Sequence, residues 1–269
     1  MAIPIGMLDS GVGGLTILRA VRELMPAQPI IYLADQAHVP YGVRQVDEVR
    51  HFSREITRYL LSQGAELIVV ACNTASTAAL KILREEFAHT PFVGMEPAVK
   101  PAAEQTLTGV VGVLATYATF HNEVYNSVVE RFARDVVLLQ DHCPGLVSQI
   151  EKGDLDGPQT RAILENALLP MIEKGIDTVV LGCTHYPFVI PLIKQIVGPN
   201  VRVIDPAPAI ARQAKRLLDE HGWLANDSQP GSLRLITTGD ASALSRNLPL
   251  YLGYTHEVES LTWQNNRIP

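Results

Sequence analysis

Cysteine is scarce in this chain, and its scarcity excludes several kinds of protein. Only 3 of the 269 residues are cysteine, an odd number that does not suit the paired cysteines of a disulfide-stabilised secreted domain. No two cysteines stand in the short Cys-x-x-Cys spacing of a structural zinc site, so we expect no metal. We expect free thiols, a reducing compartment and a cytoplasmic location.

Long apolar runs and clusters of basic residues are missing as well. The uncharged stretch 105–120 contains Gly and Thr and is shorter than the roughly 18 apolar residues that a membrane span needs. The net charge is −6 and the Lys and Arg residues are scattered, which argues against nucleic-acid binding. The first five residues contain no basic segment, so we expect no signal peptide. These absences favour a small-molecule partner over a nucleic acid or a membrane.

Short apolar segments alternate with amphipathic ones along the whole chain. Hydrophobic residues make up 47% and charged residues 19% of the sequence, which is typical of a folded globular protein. We predict strands at 3–8, 29–34, 66–71, 92–95, 110–116, 136–140, 177–182, 201–204, 233–237 and 257–263. We predict helices at 15–25, 46–63, 74–87, 119–134, 144–151, 158–174, 188–197, 207–221 and 241–250, and a polar loop at 226–232. The alternation predicts an α/β fold with mostly parallel sheets flanked by helices.

The pattern of the first half starts again after about residue 96. Residues 112–116 (Gly-Val-Leu-Ala-Thr) resemble residues 6–10 (Gly-Met-Leu-Asp-Ser), at an offset of 112 − 6 = 106. Cys72 and Cys183 each follow an apolar strand, at an offset of 183 − 72 = 111. We therefore predict two related domains, and the two cysteines would face each other if these domains meet through their strand ends. The first would comprise residues 1–96 and 206–269, and the second residues 97–205.

The two repeated cysteines are the main candidates for chemistry. Ligands bind at the carboxyl ends of strands in open α/β sheets, and a helix N-terminus favours a thiolate. Two thiols on opposite faces of one substrate could invert a stereocentre next to a carboxylate, because one removes the α-proton and the other returns one. The alternative is that both are ordinary buried core cysteines. Cys143 lies in no comparable polar surrounding, and the sequence gives it no role.

Polar residues at other strand ends extend this candidate site. Asp9 follows the first strand and could orient the Cys72 thiol, as His185 could orient or protonate the Cys183 thiol. Hydroxyl and amide groups next to these residues could hold an amino-acid ammonium and carboxylate. These are Ser10, Asn73 and Thr74. The segment Pro40-Tyr41-Gly42 could close over a ligand, although it is also an ordinary turn sequence.

Three other motif interpretations are weaker. The segment 11–14 (Gly-Val-Gly-Gly) with Asp35 resembles a dinucleotide fingerprint, but Thr16 occupies the third glycine position. No Gly-Lys-Ser/Thr follows it, as a phosphate-binding loop would require. A zinc site from Cys72, Cys183, His185 and Asp9 lacks a closely spaced pair. The lysines lie away from the strand ends, so nothing indicates a Schiff-base cofactor.

Four motifs in order resemble the glutamate racemases of the aspartate/glutamate racemase superfamily. They are residues 8–16 (Leu-Asp-Ser-Gly-Val-Gly-Gly-Leu-Thr), 40–42 (Pro-Tyr-Gly), 72–76 (Cys-Asn-Thr-Ala-Ser) and 182–187 (Gly-Cys-Thr-His-Tyr-Pro). The resemblance implies a cofactor-independent enzyme that interconverts L- and D-glutamate and supplies D-glutamate for bacterial peptidoglycan. It also implies two pseudosymmetric α/β domains with the active site between them, a discontinuous first domain and a homodimer. We expect no N-terminal extension of the kind through which some members are activated by a cell-wall precursor.

The resemblance also assigns roles to residues. Cys72 and Cys183 become the acid/base thiols, acting on the D- and the L-enantiomer respectively, with Asp9 and His185 as assisting catalytic groups. The implied substrate contacts are Ser10, Pro40, Tyr41, Gly42, Asn73, Thr74, Thr116, Thr119 and Thr184. Glu151 is a further candidate assisting group. An aspartate racemase, a binding protein and an inactive homologue remain as alternatives.

Overall fold

The computed structural model describes residues 3–225 and 229–269. Part of the predicted polar loop, residues 226–228, therefore lies outside the described residues. Contacts between Cα atoms divide the chain into two compact units, Met1–Met95 with Ala207–Pro269, and Glu96–Pro206. Each unit contains its own sheet. In the part of the chain that is described, no helix is both long enough and apolar enough to cross a membrane.

The first unit is a six-stranded sheet with helices packed against it. Its strands are β1 (Ile5–Asp9), β2 (Ile30–Ala34), β3 (Leu67–Val70), β4 (Phe92–Val93), β9 (Leu233–Thr237) and β10 (Val258–Ser260). Its helices are α1 (Leu15–Leu24), α2 (Val46–Ser62), α3 (Asn73–Glu86), α10 (Ala207–Glu220) and α11 (Ala241–Leu252). The strand order is β10-β9-β2-β1-β3-β4, and every pair is parallel. Strands β1, β2 and β3 are buried along their full length, as continuous apolar strands in a parallel sheet should be.

The C-terminal strands belong to the sheet of the first unit. β9 pairs in parallel with β2, with Leu33 opposite Ile236 and Ala34 opposite Thr237. β10 in turn pairs with β9. Because paired parallel strands end together, this register brings the residues after β9 to the same edge as those after β2.

The second unit is a four-stranded parallel sheet. Its strands are β5 (Val110–Ala115), β6 (Val137–Asp141), β7 (Thr178–Gly182) and β8 (Arg202–Ile204). Its helices are α4 (Val99–Gln105), α5 (Tyr117–Phe120), α6 (Glu123–Phe132), α7 (Leu146–Glu151), α8 (Pro158–Glu173) and α9 (Ile190–Val197). The strand order is β6-β5-β7-β8. The order β2-β1-β3-β4 in the first sheet is the same arrangement, which confirms the prediction of two like α/β halves with parallel sheets.

The main differences between the predicted and the observed elements concern three helical regions. Helix α4 was not predicted. The predicted helix 119–134 is two helices, because the Asn122 side chain accepts a hydrogen bond from Val124 N and starts α6 as a new helix. The predicted helix 188–197 is preceded by a 3₁₀ turn, Tyr186–Val189, and α9 itself begins at Ile190.

Candidate active site

Cys72 occupies the junction between β3 and α3 and is the N-cap residue of the helix. Its backbone is extended, and its Sγ accepts a hydrogen bond from Ala75 N at 3.4 Å. Sγ also lies 3.9 Å from Oγ of Ser10, at the end of the neighbouring strand β1. Backbone N–H groups at a helix N-terminus favour a negative charge, so this position suits a thiolate. Cys72 and Ser10 are each only 4% exposed.

Asp9 ends β1 and is fully buried. Its Oδ2 accepts hydrogen bonds from Gly11 N at 3.1 Å and from Gly14 N at 2.9 Å. These bonds hold the glycine-rich turn against the carboxylate. A Cβ on Gly14 would stand 2.8 Å from both Cβ of Asp9 and Oη of Tyr32, so only glycine fits this close approach. The burial and the two amide bonds fix the Asp9 side chain at the strand edge near the end of β3.

Asn73 is the first residue of α3, and its side-chain amide is buried without a hydrogen bond. Neither Nδ2 nor Oδ1 has a partner among the described residues. Leaving such a buried amide unbonded costs about 1–3 kcal/mol. Thr74 follows and is buried too. A buried polar group of this kind next to Cys72 is available to bind a polar ligand.

The loop after β2 places the predicted segment Pro40-Tyr41-Gly42 at the same strand edge. Tyr41 is 1% exposed, and its hydroxyl donates to Oδ2 of Asp35 at 2.7 Å. Burial, followed by the negative charges of Asp35, Cys72 and Asp9, raises the pKa of Tyr41 well above its ordinary value. The hydroxyl is therefore a neutral donor that binds Asp35.

In the second unit, Cys183 is the first residue after β7 and is the head of a hydrogen-bonded chain. Its Sγ lies 3.9 Å from Nδ1 of His185. Nε2 of His185 lies 2.6 Å from Oε1 of Glu151, the last residue of α7. The structure therefore brings together a thiol, an imidazole and a carboxylate, the arrangement by which a base is oriented and its charge stabilised.

The pKa of His185 reflects this chain. Burial is the largest single effect and lowers the pKa, but the hydrogen bonds to Cys183 and Glu151 outweigh it and hold the pKa well above the ordinary 6.5. A protonated imidazole donates from both ring nitrogens, one toward Sγ and the other toward the carboxylate. His185 is thus placed to supply a proton to the Cys183 thiolate or to stabilise its charge.

The predicted threonines of the second unit lie at two strand ends. Thr116 follows β5 and caps α5, accepting from Thr119 N at 3.4 Å, and the two hydroxyl oxygens are 2.9 Å apart. Thr119 is fully buried, and Thr184, directly after Cys183, is 2% exposed. Strand β5 pairs with β7, with Ala115 opposite Gly182, so these threonines share an edge with Cys183.

Two neighbours of Cys183 were not in the predicted site. Cys143, two residues past β6, is buried, and the pKa of its thiol is raised well above the ordinary value by burial, then by Asp141 and Cys183. Tyr186 is fully buried, donates its hydroxyl to the carbonyl of His142, and has its pKa raised by burial and by Cys183. The Tyr186 position could have been inferred from the motif at 182–187. In contrast, the closeness of Cys143 to Cys183 could not be inferred, because it depends on how the chain folds between β6 and β7.

Asp35 is a buried polar residue that follows β2 as Asp9 follows β1. The sequence placed it in a weak dinucleotide fingerprint and gave it no part in the predicted site. In the structure Tyr41 and Thr238 each donate a hydroxyl to its carboxylate.

Among residues 3–225 and 229–269, no three His, Cys, Asp or Glu side chains are grouped as ligands of a metal ion.

The sequence and the fold both resemble known proteins. Residues 15–214 match the family described as Asp/Glu/Hydantoin racemase. The chain is 48% identical over 240 residues to a glutamate racemase of Roseiflexus sp. (strain RS-1), covering 89% of this chain and 88% of that protein. Two crystal structures of glutamate racemases are also similar.

The first is from Escherichia coli, in complex with L-glutamate and the activator UDP-MurNAc-ala. It has a TM-score of 0.85 and 31% identity, over 97% of this chain and 99% of that chain. The second is from Francisella tularensis, in complex with D-glutamate. It has a TM-score of 0.83 and 28% identity, over 97% of this chain and 98% of that chain.

Proposed function

The chain belongs to the Asp/Glu/hydantoin racemase family, and we propose that it interconverts L- and D-glutamate by a two-thiol reaction without a cofactor. The observation that carries this proposal is the repetition of a thiol at one topological position. Cys72 follows β3 and Cys183 follows β7, and these strands hold the same place in the orders β2-β1-β3-β4 and β6-β5-β7-β8. Each half of the chain thus contributes one acid/base group.

The reaction moves one proton off Cα and another one on. A thiolate removes the Cα proton, the C–H bond breaks, and its electron pair is delocalised into the adjacent carboxylate. The opposite thiol then gives its proton to the other face of Cα. At the end the two sulfurs have exchanged protonation states, and proton exchange with water restores them.

The two thiols have different partners in this proposal. Asp9, fixed by its amide bonds, assists Cys72, and His185 with Glu151 assists Cys183. Following the family resemblance, Cys72 would act on the D-enantiomer and Cys183 on the L-enantiomer. A high pKa on His185 supports this role, because the imidazolium stabilises the Cys183 thiolate before it accepts the Cα proton.

Substrate contacts would come from the buried polar groups at both strand edges. The unbonded amide of Asn73 supports this assignment most directly, because a bound amino acid would satisfy it. The hydroxyls of Ser10, Thr74, Thr116, Thr119 and Thr184 would complete the set together with the Pro40–Gly42 loop. Glutamate is the proposed substrate because the compared racemases are named for it and were crystallised with its two enantiomers.

The wider role proposed for this enzyme is the supply of D-glutamate for peptidoglycan, in the cytoplasm and as a homodimer. Three buried free cysteines, two of them with catalytic roles, suit a reducing compartment. Growth of a bacterial D-glutamate auxotroph carrying this chain tests the supply of D-glutamate. Sedimentation equilibrium of the purified protein tests the dimer.

Isotope exchange tests the reaction itself. Purified protein and L-glutamate are incubated in D₂O without added cofactor, and deuterium at Cα is followed by NMR together with the appearance of D-glutamate. We expect both to proceed, and L-aspartate under the same conditions to exchange far more slowly. Absence of exchange, or exchange only after pyridoxal phosphate is added, rejects the two-thiol reaction.

Single-thiol variants separate the two roles. Cys72→Ser and Cys183→Ser should each lose racemisation by more than about a thousandfold, since a serine hydroxyl is a far weaker acid than a thiol. The matched control is Cys143→Ser, a third buried cysteine that the reaction does not use. Full turnover by either Cys72→Ser or Cys183→Ser would remove that residue from the reaction.

A further inference from the structure

Asp35 is the centre of a buried hydrogen-bond cluster in the first unit. Its Oδ2 accepts from Oη of Tyr41 at 2.7 Å and lies 2.9 Å from Nδ1 of His38. Its Oδ1 accepts from Oγ1 of Thr238 at 2.7 Å and from Nε1 of Trp263 at 2.7 Å. The side chain is fully buried, and these four neighbours compensate the desolvation of its carboxylate.

The two oxygens of Asp35 bind different parts of the chain. Oδ2 faces the loop that contains Tyr41, while Oδ1 faces residues contributed by the C-terminal region. Asp35 therefore joins the loop after β2 to a tail that lies more than 200 residues later in the sequence.

The tail is itself fixed against α2. Nε2 of His51 lies 2.7 Å from the carbonyl oxygen of Asn266. The ring of Trp263 packs edge-on against Phe52 at 5.5 Å and against His38 at 5.0 Å. His38 in turn stacks on Phe52 with ring centroids 3.9 Å apart. The indole N–H is thus held in place by packing as well as by its own hydrogen bond.

We propose that Asp35 and Trp263 are positioning residues for the reaction, because they hold the Pro40–Gly42 loop in its substrate-binding conformation. This inference rests on the proposed racemase function, in which that loop contacts glutamate. Neither residue needs to touch the substrate. Trp263 orients the Asp35 carboxylate, the carboxylate orients the Tyr41 hydroxyl, and the hydroxyl fixes the loop.

A loop that binds substrate and transition state alike should change KM rather than kcat when it is loosened. Trp263→Phe keeps an aromatic ring against Phe52 but removes the N–H that donates to Asp35. We expect KM to rise about five- to tenfold for both enantiomers. The variant loses one hydrogen bond to a charged group, and only part of that loss weakens the loop's contact with substrate. The kcat should stay within about twofold.

The chain contains 2 tryptophans, which supplies both a control and a probe. Trp223 packs on His221, just past the end of α10, so Trp223→Phe should leave KM unchanged. In the Trp223→Phe protein all tryptophan emission comes from Trp263. Glutamate should alter this emission in a saturable manner, and Tyr41→Phe in the same background should abolish the response.

The outcomes separate this inference from the proposed function. An unchanged KM in a folded Trp263→Phe enzyme overturns the inference. If that variant does not fold, the Trp223→Phe enzyme decides. The inference is overturned if this enzyme is active but its Trp263 emission does not change at saturating glutamate. If the unaltered protein neither racemises glutamate nor exchanges its Cα proton, the proposed function has failed, and the inference fails with it.

Discussion

Nε2 of His185 lies 2.6 Å from Oε1 of Glu151, although 34 residues separate them in the sequence. The contact forms because α7 ends at Glu151 and β7 ends just before Cys183, and both ends reach the same side of the second sheet. Burial lowers the pKa of His185, but the hydrogen bond to Cys183 and this contact with Glu151 together hold that pKa well above its ordinary value. The protonation of His185 beside the Cys183 thiol therefore depends in part on a residue that does not contact the sulfur.

Glu151→Gln tests this dependence. Loss of the carboxylate charge should lower the pKa of His185, which ¹⁵N-detected NMR of the imidazole measures directly. The folded-state pKa is raised, so the associated stability is complete below the unfolded value of 6.5 and is lost as the pH rises through the folded value. The unaltered protein should therefore have a higher free energy of unfolding than Glu151→Gln. This difference should be largest just below pH 6.5 and should shrink toward alkaline pH.

The control for this experiment is Glu173→Gln, an exposed residue at the end of α8. It should leave the NMR titration of His185 and the pH dependence of unfolding unchanged. An unaltered His185 titration in Glu151→Gln would contradict the role given to the carboxylate.

Asn73→Ala should separate stability from activity. The alanine removes a buried amide without partners among the described residues, so the unfolding free energy should stay the same or rise by about 1 kcal/mol. Racemisation should fall by at least about tenfold through a higher KM. Urea denaturation and steady-state kinetics measure the two effects.

Ser76→Ala on the same helix is the contrast. Ser76 Oγ donates to Val70 O and accepts from Met95 N, so its loss should cost about 1–2 kcal/mol. A destabilisation of Asn73→Ala as large as that of Ser76→Ala would show that the Asn73 amide is satisfied in solution.

Two substitutions at Asp9 should distinguish its structural from its chemical role. In Asp9→Asn the amide oxygen still accepts from Gly11 N and Gly14 N, so the glycine-rich turn and the stability should be largely preserved. Asp9→Ala orphans both N–H groups and should cost about 2–4 kcal/mol. Both should lose most racemase activity, because both remove the charge near Cys72. A fully active Asp9→Asn enzyme would limit Asp9 to the structural role.

The three thiols should differ in how they respond to an alkylating agent. Burial and the charges of Asp141 and Cys183 raise the pKa of Cys143, so this thiol should be alkylated by iodoacetamide slowest in the native protein at pH 8. Glutamate should slow the alkylation of Cys72 and Cys183 and leave Cys143 unaffected. Peptide mass spectrometry resolves the three rates. Protection of Cys143 alone would place the substrate elsewhere.

The fold class was predictable because its signals are local. Apolar strands alternate with amphipathic helices, and the repeat of residues 6–10 at 112–116 indicates two like halves. The family and enzyme class implied by the four motifs are confirmed by the match over residues 15–214 and by the curated glutamate racemases. In contrast, helix α4 gives a weak local signal, because Pro97 precedes it and Pro101 lies inside it, and proline is typical of turns and loops.

The repeat also explains which parts of the site could not be predicted from the pattern alone. The offset of 106 carries Asp9 onto Ala115, and the offset of 111 carries Thr74 onto His185 (9 + 106 = 115; 74 + 111 = 185). The thiols are therefore repeated, but their partners are not. Trp263 and Asp35 meet only because β9 and β10 join the first sheet, and that contact leaves no signal in the local sequence.

The unlike partners of the two cysteines have a thermodynamic consequence for a racemase. Two enantiomers have equal free energies in water, so their equilibrium constant is unity and kcat/KM must be the same in both directions. No substitution at Asp9, His185 or Glu151 can make the enzyme favour one product. The asymmetry of the site can appear only as different kcat values and different KM values in the two directions. Their ratio kcat/KM stays the same in both.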